Sequence, residues 1–319
     1  MDLRRFFVVL AIVATYWVIS IGLVIANSKL LGPKKSEDIS VFCAWAQSAL
    51  GSLSTCIVIL LRGDFNTKDF SNKYVVLQSF SHILMLTLNN FCLKLVGVVF
   101  YQIARSLTLL FVVSLSAIIL KKSISCSALT CCIALSTGFA LGVDQERAAG
   151  SLNLSGVIYG IVTSLVVALN GVLTSKAMHA LDGNAVKLAF VLNTNAAILL
   201  FPLVLFTGQW QVERLFDNFN VMLLVLTGLM AAAMSWISAL QIAYTSPITH
   251  HVSASAKSVV QTFIGSRIEK ESRPILWWLS VLIVASASVC YALVRTRELR
   301  TVEKKQPISQ NNNEKHAKA

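Results

Sequence analysis

Ten predominantly apolar stretches follow one another along this chain, near residues 6–27, 39–61, 74–95, 98–120, 124–142, 153–176, 185–206, 220–244, 248–266 and 275–294. Each has roughly the 17–25 residues that an α-helix needs to cross the hydrocarbon core of a bilayer. Only short polar connectors separate them. The tightest, Leu95-Val96-Gly97 and Thr245-Ser246-Pro247, are barely long enough to turn the chain. The pattern predicts an all-α membrane protein with ten transmembrane helices. The first stretch is too long for a signal peptide and has no small-residue cleavage site, so it is expected to remain as a helix. The last residues, 298–319, lose all periodicity and turn polar and Asn-rich, which predicts a disordered tail.

The pattern also repeats. A shift of 152 residues lays Phe6–Asn27 on Ile158–His179, Ser123–Gly142 on Ile275–Val294, and Ala104-Arg105-Ser106 on Ala256-Lys257-Ser258. Residues 1–152 and 153–297 therefore form two five-helix repeats. Five is odd, so two copies in series must enter the membrane with opposite orientation. The expected architecture is an inverted 5+5 pair, a plan on which secondary transporters build a central site open to one side at a time.

Composition supports this and narrows it. Apolar residues make up 55% of the chain and charged ones only 13%, about half the share of a soluble domain. Mean hydropathy is +0.70. Of the 27 Lys and Arg, sixteen fall on the side that holds both termini, nine on the other and two within spans. The positive-inside rule then places both termini in the cytosol. The net charge of +12 is read as topology and contact with anionic lipid, not as a nucleic-acid surface, because no soluble domain accompanies it. The seven cysteines all lie inside spans at spacings that suit neither a disulfide framework nor a metal site, and are expected to pack as small apolar residues. No catalytic constellation, metal-ligand set or cofactor motif is present, so no enzyme is expected. His250-His251 point to different helix faces and no carboxylate goes with them. Asn153-Leu154-Ser155 is a formal glycosylation sequon too close to a span to be used.

Two cations mark the expected site. Arg105 and Lys257 occupy corresponding places in the two repeats, deep within apolar spans where a charge is costly unless a partner or a water-filled cavity receives it. Thr249, Ser253 and Lys257 share one helix face, as do Tyr101, Arg105 and Thr108. Hydroxyls ending in a cation suit phosphate oxygens, which take donors and positive charge together. Asn193 and Asn195 in the seventh span carry amides that donate and accept at once, as a base edge requires. Such residues also serve as interhelical glue. No span holds paired carboxylates, which points to exchange driven by substrate gradients and not by protons or sodium.

Several blocks carry a family resemblance: Leu88-Asn89-Asn90-Phe91-Cys92-Leu93-Lys94, Ala104-Arg105-Ser106-Leu107-Thr108, Leu141-Gly142-Val143-Asp144-Gln145-Glu146 and Tyr244-Thr245-Ser246-Pro247-Ile248-Thr249-His250. In these the chain resembles the nucleotide-sugar transporters of the drug/metabolite transporter superfamily, most closely the Golgi GDP-fucose transporters. The resemblance implies a multi-pass Golgi membrane protein that imports GDP-fucose in exchange for GMP, with no cofactor; ER residence and a homodimer stay open. It implies that Ser253, Ser255 and Lys257, in Ser253-Ala254-Ser255-Ala256-Lys257, hold phosphate and sugar. Tyr16 matches a ligand-contacting tyrosine, and Ser235 and Ser238 lie near hydroxyl positions of the eighth span.

Two positions depart from the family pattern. Ala254 stands where a glycine is usual, and Leu192 replaces the first asparagine of the guanine motif, leaving Asn193 with Asn195 two positions on. These leave room for another GDP- or UDP-sugar as cargo. A transport-inactive scaffold derived from a carrier is a further alternative. The segment Gly265–Glu271 reads Gly-Ser-Arg-Ile-Glu-Lys-Glu where relatives stay apolar, which predicts an early end to the ninth span.

Overall fold

A computed structural model describes residues 3–32, 37–62, 67–119, 125–148, 154–211, 217–244, 247–269 and 273–316. The sequon residue Asn153 and the connector residues Thr245 and Ser246 lie outside these. The described residues fold into nine α-helices: α1 (Leu3–Leu31), α2 (Ser40–Arg62), α3 (Lys73–Ile119), α4 (Cys126–Ala148), α5 (Leu154–Ala180), α6 (Ala185–Thr207), α7 (Asn218–Tyr244), α8 (Pro247–Glu269) and α9 (Ile275–His316). Single 3-10 turns lie at Thr67–Ser71 and Gln209–Gln211.

The third and fourth expected spans share the single helical run of α3, without the break anticipated at Leu95-Val96-Gly97. The run is nonetheless folded back on itself. Tyr101 Oη donates to Asn89 Oδ1 at 3.2 Å, although twelve residues of straight helix would separate their Cα atoms by about 18 Å. The adjacent residues Thr163 and Ser164 of α5 donate to the carbonyls of Leu88 and Ala104 respectively. Both arms of α3 therefore flank α5, and the fold falls around Gly97, the one glycine of the helix.

Among the described residues, eight segments are long and apolar enough to cross a membrane, the two arms of α3 among them. Helices α7 and α8 stand where the eighth and ninth spans were expected; α8 carries Lys257, Arg267 and Glu269 among its hydroxyls. Helix α8 continues through the polar segment that begins at Gly265, as far as Glu269. Gly265 does not break the helix but lets another one approach: a Cβ there would sit 2.9 Å from Val98 Cγ1 of α3. At the other end of the chain, α9 stays helical as far as His316, where composition pointed to a segment without regular structure.

Helix ends are tied by side chains, as a low-dielectric surround demands. Gln209 Oε1 accepts from the N–H groups of Val41 and Phe42 at 2.9 and 3.0 Å, capping α2 from the turn after α6. Asn184 caps α6 by accepting from Val186 and Lys187, and Gly208 ends that helix in the left-handed region at φ 65°. The main helix pairs are α2 with α6, α4 with α9, α1 with α7, and α5 with α3.

Candidate functional site

Lys257 sits on α8 one turn beyond Ser253, and both face α1. The Lys257 ammonium donates to Ser20 Oγ at 2.5 Å and lies 5.6 Å from the centre of the Tyr16 ring. Trp17 Nε1 donates to Ser253 Oγ at 2.8 Å. Tyr16, Ser20 and Ser253 are buried. Spacing explains the match: 16, 17 and 20 occupy one face of α1, and 253 and 257 one face of α8.

Arg105 stands on the second arm of α3. Its Nη1 donates to Tyr101 Oη at 3.2 Å, the guanidinium lies 5.6 Å from that ring's centre, and the phenol passes the chain on to Asn89. Tyr101 and Ala104 are buried, while the Arg105 side chain is exposed. Its charge is felt by Tyr16 on α1 and by Lys257 on α8. The guanidinium thus lies within electrostatic reach of α1 and α8, on the same side as the second cation. Among the described residues no carboxylate pairs with either. Two like charges in such a setting are costly to keep unless an anion completes the site.

The structure therefore groups Tyr16, Ser253 and Lys257, and joins Tyr101 to Arg105. It adds two residues the sequence did not single out, Ser20 and Trp17, together with Asn89, which the sequence offered only as part of a motif. Their spacing on α1 was legible, but nothing in the sequence pairs α1 with α8. Asn193 and Asn195 are held elsewhere. Asn193 Nδ2 donates to Ala189 O at 2.8 Å, with its amide against Gly51 of α2. Asn195 Nδ2 donates to Ser79 Oγ of α3 at 2.8 Å. No hydrogen bond among the described residues links either amide to the cations. Leu192 is buried in an apolar cluster with Ile59, Val75, Leu188 and Val191. The side chains of Ser235, Ser238, Thr249 and Ser255 lie outside the described residues.

A second charged cluster was not anticipated. Arg273 Nη1 meets Glu146 Oε2 at 2.7 Å, Trp277 Nε1 donates to Glu146 Oε1 at 3.0 Å, and all three side chains are nearly fully buried. It joins the end of α4 to the start of α9, and its charges balance internally. That is a structural tie, unlike the two uncompensated cations.

The model of the Triose-phosphate Transporter family matches residues 7–268. The chain is 37% identical over 308 residues to "GDP-fucose transporter 1" of Mus musculus, covering 92% of this chain and 84% of the mouse protein. It is 37% identical to "GDP-fucose transporter 1" of Nematostella vectensis (91% and 90% covered), and 30% identical to "GDP-fucose transporter, Golgi" of Drosophila melanogaster (93% and 92%). With a family match over residues 7–268 and 37% identity across more than nine-tenths of the chain, the chain belongs to the Triose-phosphate Transporter family, together with the GDP-fucose transporters it matches.

Proposed function

We propose that this chain carries GDP-fucose into the Golgi lumen in exchange for GMP, by alternating access and without catalytic chemistry. The observation that carries the reading is the placement of Arg105 and Lys257. They form a two-cation site with hydroxyl donors, suited to a diphosphate in one direction and a monophosphate in the other. The relatives named above are GDP-fucose transporters, and one of them is named for the Golgi. In this reading ten spans form an inverted pair of five, with both termini cytosolic. The helix pairing supports that plan: exchanging the two halves maps α2–α6 and α4–α9 onto themselves and α1–α7 onto α5 with the first arm of α3.

Cargo then binds by electrostatics. Phosphate oxygens take two donors of the Lys257 ammonium, the third staying on Ser20, and the flat guanidinium of Arg105 receives oxygens in pairs. Asn193 is proposed to meet the guanine. Leu192 lies in an apolar cluster, so its departure from the family motif is a packing change away from the base.

The test is counterflow in proteoliposomes preloaded with GMP, offered a panel of nucleotide sugars. GDP-fucose uptake that requires internal GMP supports the reading. Faster uptake of another GDP- or UDP-sugar would replace the cargo and keep the fold, and no exchange of any nucleotide would favour the scaffold.

A further inference from the structure

Gln261 lies on α8 four residues beyond Lys257 and eight beyond Ser253, so the three form one row along the helix. Its side chain is fully buried, and neither its amide nitrogen nor its amide oxygen has a hydrogen-bond partner. Buried amides are paired almost without exception, and an amide with both ends unmet inside a membrane span needs an explanation. Packing does not supply one, because a leucine or methionine would fill the same volume without the penalty.

Register places this amide. The second arm of α3 runs antiparallel to α8, with Val98 against Gly265, Val259 packed on the cluster that holds Val99 and Ile103, and Lys257 within reach of the Arg105 charge. Stepping from Gly265 toward Lys257 brings Gln261 opposite Tyr101 and Gln102. Gln261 thus sits between the Val98–Gly265 contact and the two cations, about 6 Å along the helix from Lys257.

We propose that Gln261 reads the hydroxyls of the cargo's pyranose ring. This rests on the nucleotide-sugar reading above. One helical turn from a phosphate-holding ammonium, the group to be met is the sugar bonded directly to the diphosphate. Neighbouring ring hydroxyls offer one donor and one acceptor, which is what an amide complements. A phosphate would offer acceptors only and would face the amide oxygen unfavourably. The Val98–Gly265 contact lies one helical turn along α8 from the amide, and parting α3 from α8 in the transport cycle would bring the amide onto the cargo's path. GMP has no pyranose, so the residue separates sugar recognition from nucleotide recognition.

The experiment uses the full chain in proteoliposomes. Wild-type counterflow first identifies the nucleotide sugar carried, so an error in the cargo shows before any variant is judged. Gln261→Leu and Gln261→Met are then measured for uptake of that sugar nucleotide and for GMP/GMP exchange. The expected result is a roughly tenfold higher KM for the sugar nucleotide, with GMP exchange within about twofold of wild type. Discrimination between GDP-fucose and GDP-mannose should narrow in parallel. Equal losses of GMP exchange and sugar-nucleotide uptake would overturn the proposal, since they would place the amide on the ribose or in the general machinery. An unchanged KM would overturn it too. So would failure of both variants to fold, which would make the amide structural.

Discussion

Lys257 and Ser20, on helices at opposite ends of the chain, are joined by a 2.5 Å hydrogen bond from the ammonium to the hydroxyl. The bond does for Lys257 what Tyr101 does for Arg105, but the partners come from different places. Arg105 finds its hydroxyl one turn back on its own helix, whereas Lys257 borrows one from α1. The repeat image of Ser20 on α5 is Val172, which has no hydroxyl to lend. The two halves thus share a pattern of cations and differ in how each is held.

Ser20→Ala should leave the ammonium without its fixed partner while two of its donors still reach phosphate. Loss of a hydrogen bond to a charged group is worth roughly 1.5–3 kcal/mol at most, and the cargo replaces part of it. A several-fold rise in KM for GMP is expected at normal protein level. Tighter GMP binding would mean that Ser20 competes with the cargo for Lys257.

Tyr101→Phe removes the hydroxyl linking Arg105 to Asn89 and keeps the ring beneath the guanidinium. The two arms of α3 lose a direct tie, so thermal unfolding in detergent should reveal a destabilisation of about 1–2 kcal/mol. Arg105→Ala should lower both transport and protein amount. If Arg105→Ala reconstitutes at wild-type level, the residue serves cargo alone.

Glu146 and Arg273 give a test independent of cargo. Removing either partner strands a buried charge and should cost about 3–5 kcal/mol. Replacing both by apolar residues of similar size should recover most of that loss. Detergent melting curves for Glu146→Leu, Arg273→Met and the double variant would decide it; equal destabilisation in all three would show that the pair contributes packing and not charge balance.

Asn193→Ala should erase the preference for GMP over UMP as competitor, at a cost of roughly 1–3 kcal/mol in GMP affinity. Asn195→Ala should instead loosen α6 on α3 through loss of the bond to Ser79, and leave base preference intact. Unchanged discrimination in Asn193→Ala would move guanine recognition elsewhere.

These residues show what the sequence made legible. Hydropathy located the long apolar helices, and charge in an apolar stretch marked Arg105 and Lys257, because both signals are local and large. Partners across helices were not legible: nothing in the order of residues sets Ser20 or Trp17 on α8, or turns the Asn195 amide to Ser79. Gly265 shows the same limit: the sequence carries no sign that its missing Cβ serves the approach of Val98. The turn expected at Leu95-Val96-Gly97 was legible, but not that it lies within one helical run, where the Tyr101–Asn89 contact and the two ties to α5 expose it.

The central claim is that Lys257 faces the cargo, and initial GMP uptake by proteoliposomes bearing Lys257→Ala tests it most directly, with the amount of reconstituted protein measured alongside. Removing a half-buried ammonium that has no acidic partner among the described residues should not harm the fold, so full protein level with exchange abolished is expected. Lys257→Arg should recover little, because a planar fork does not replace a compact ammonium beside Ser20. Wild-type uptake by Lys257→Ala at equal protein would contradict the account, since the cation would then lie off the path of the phosphate.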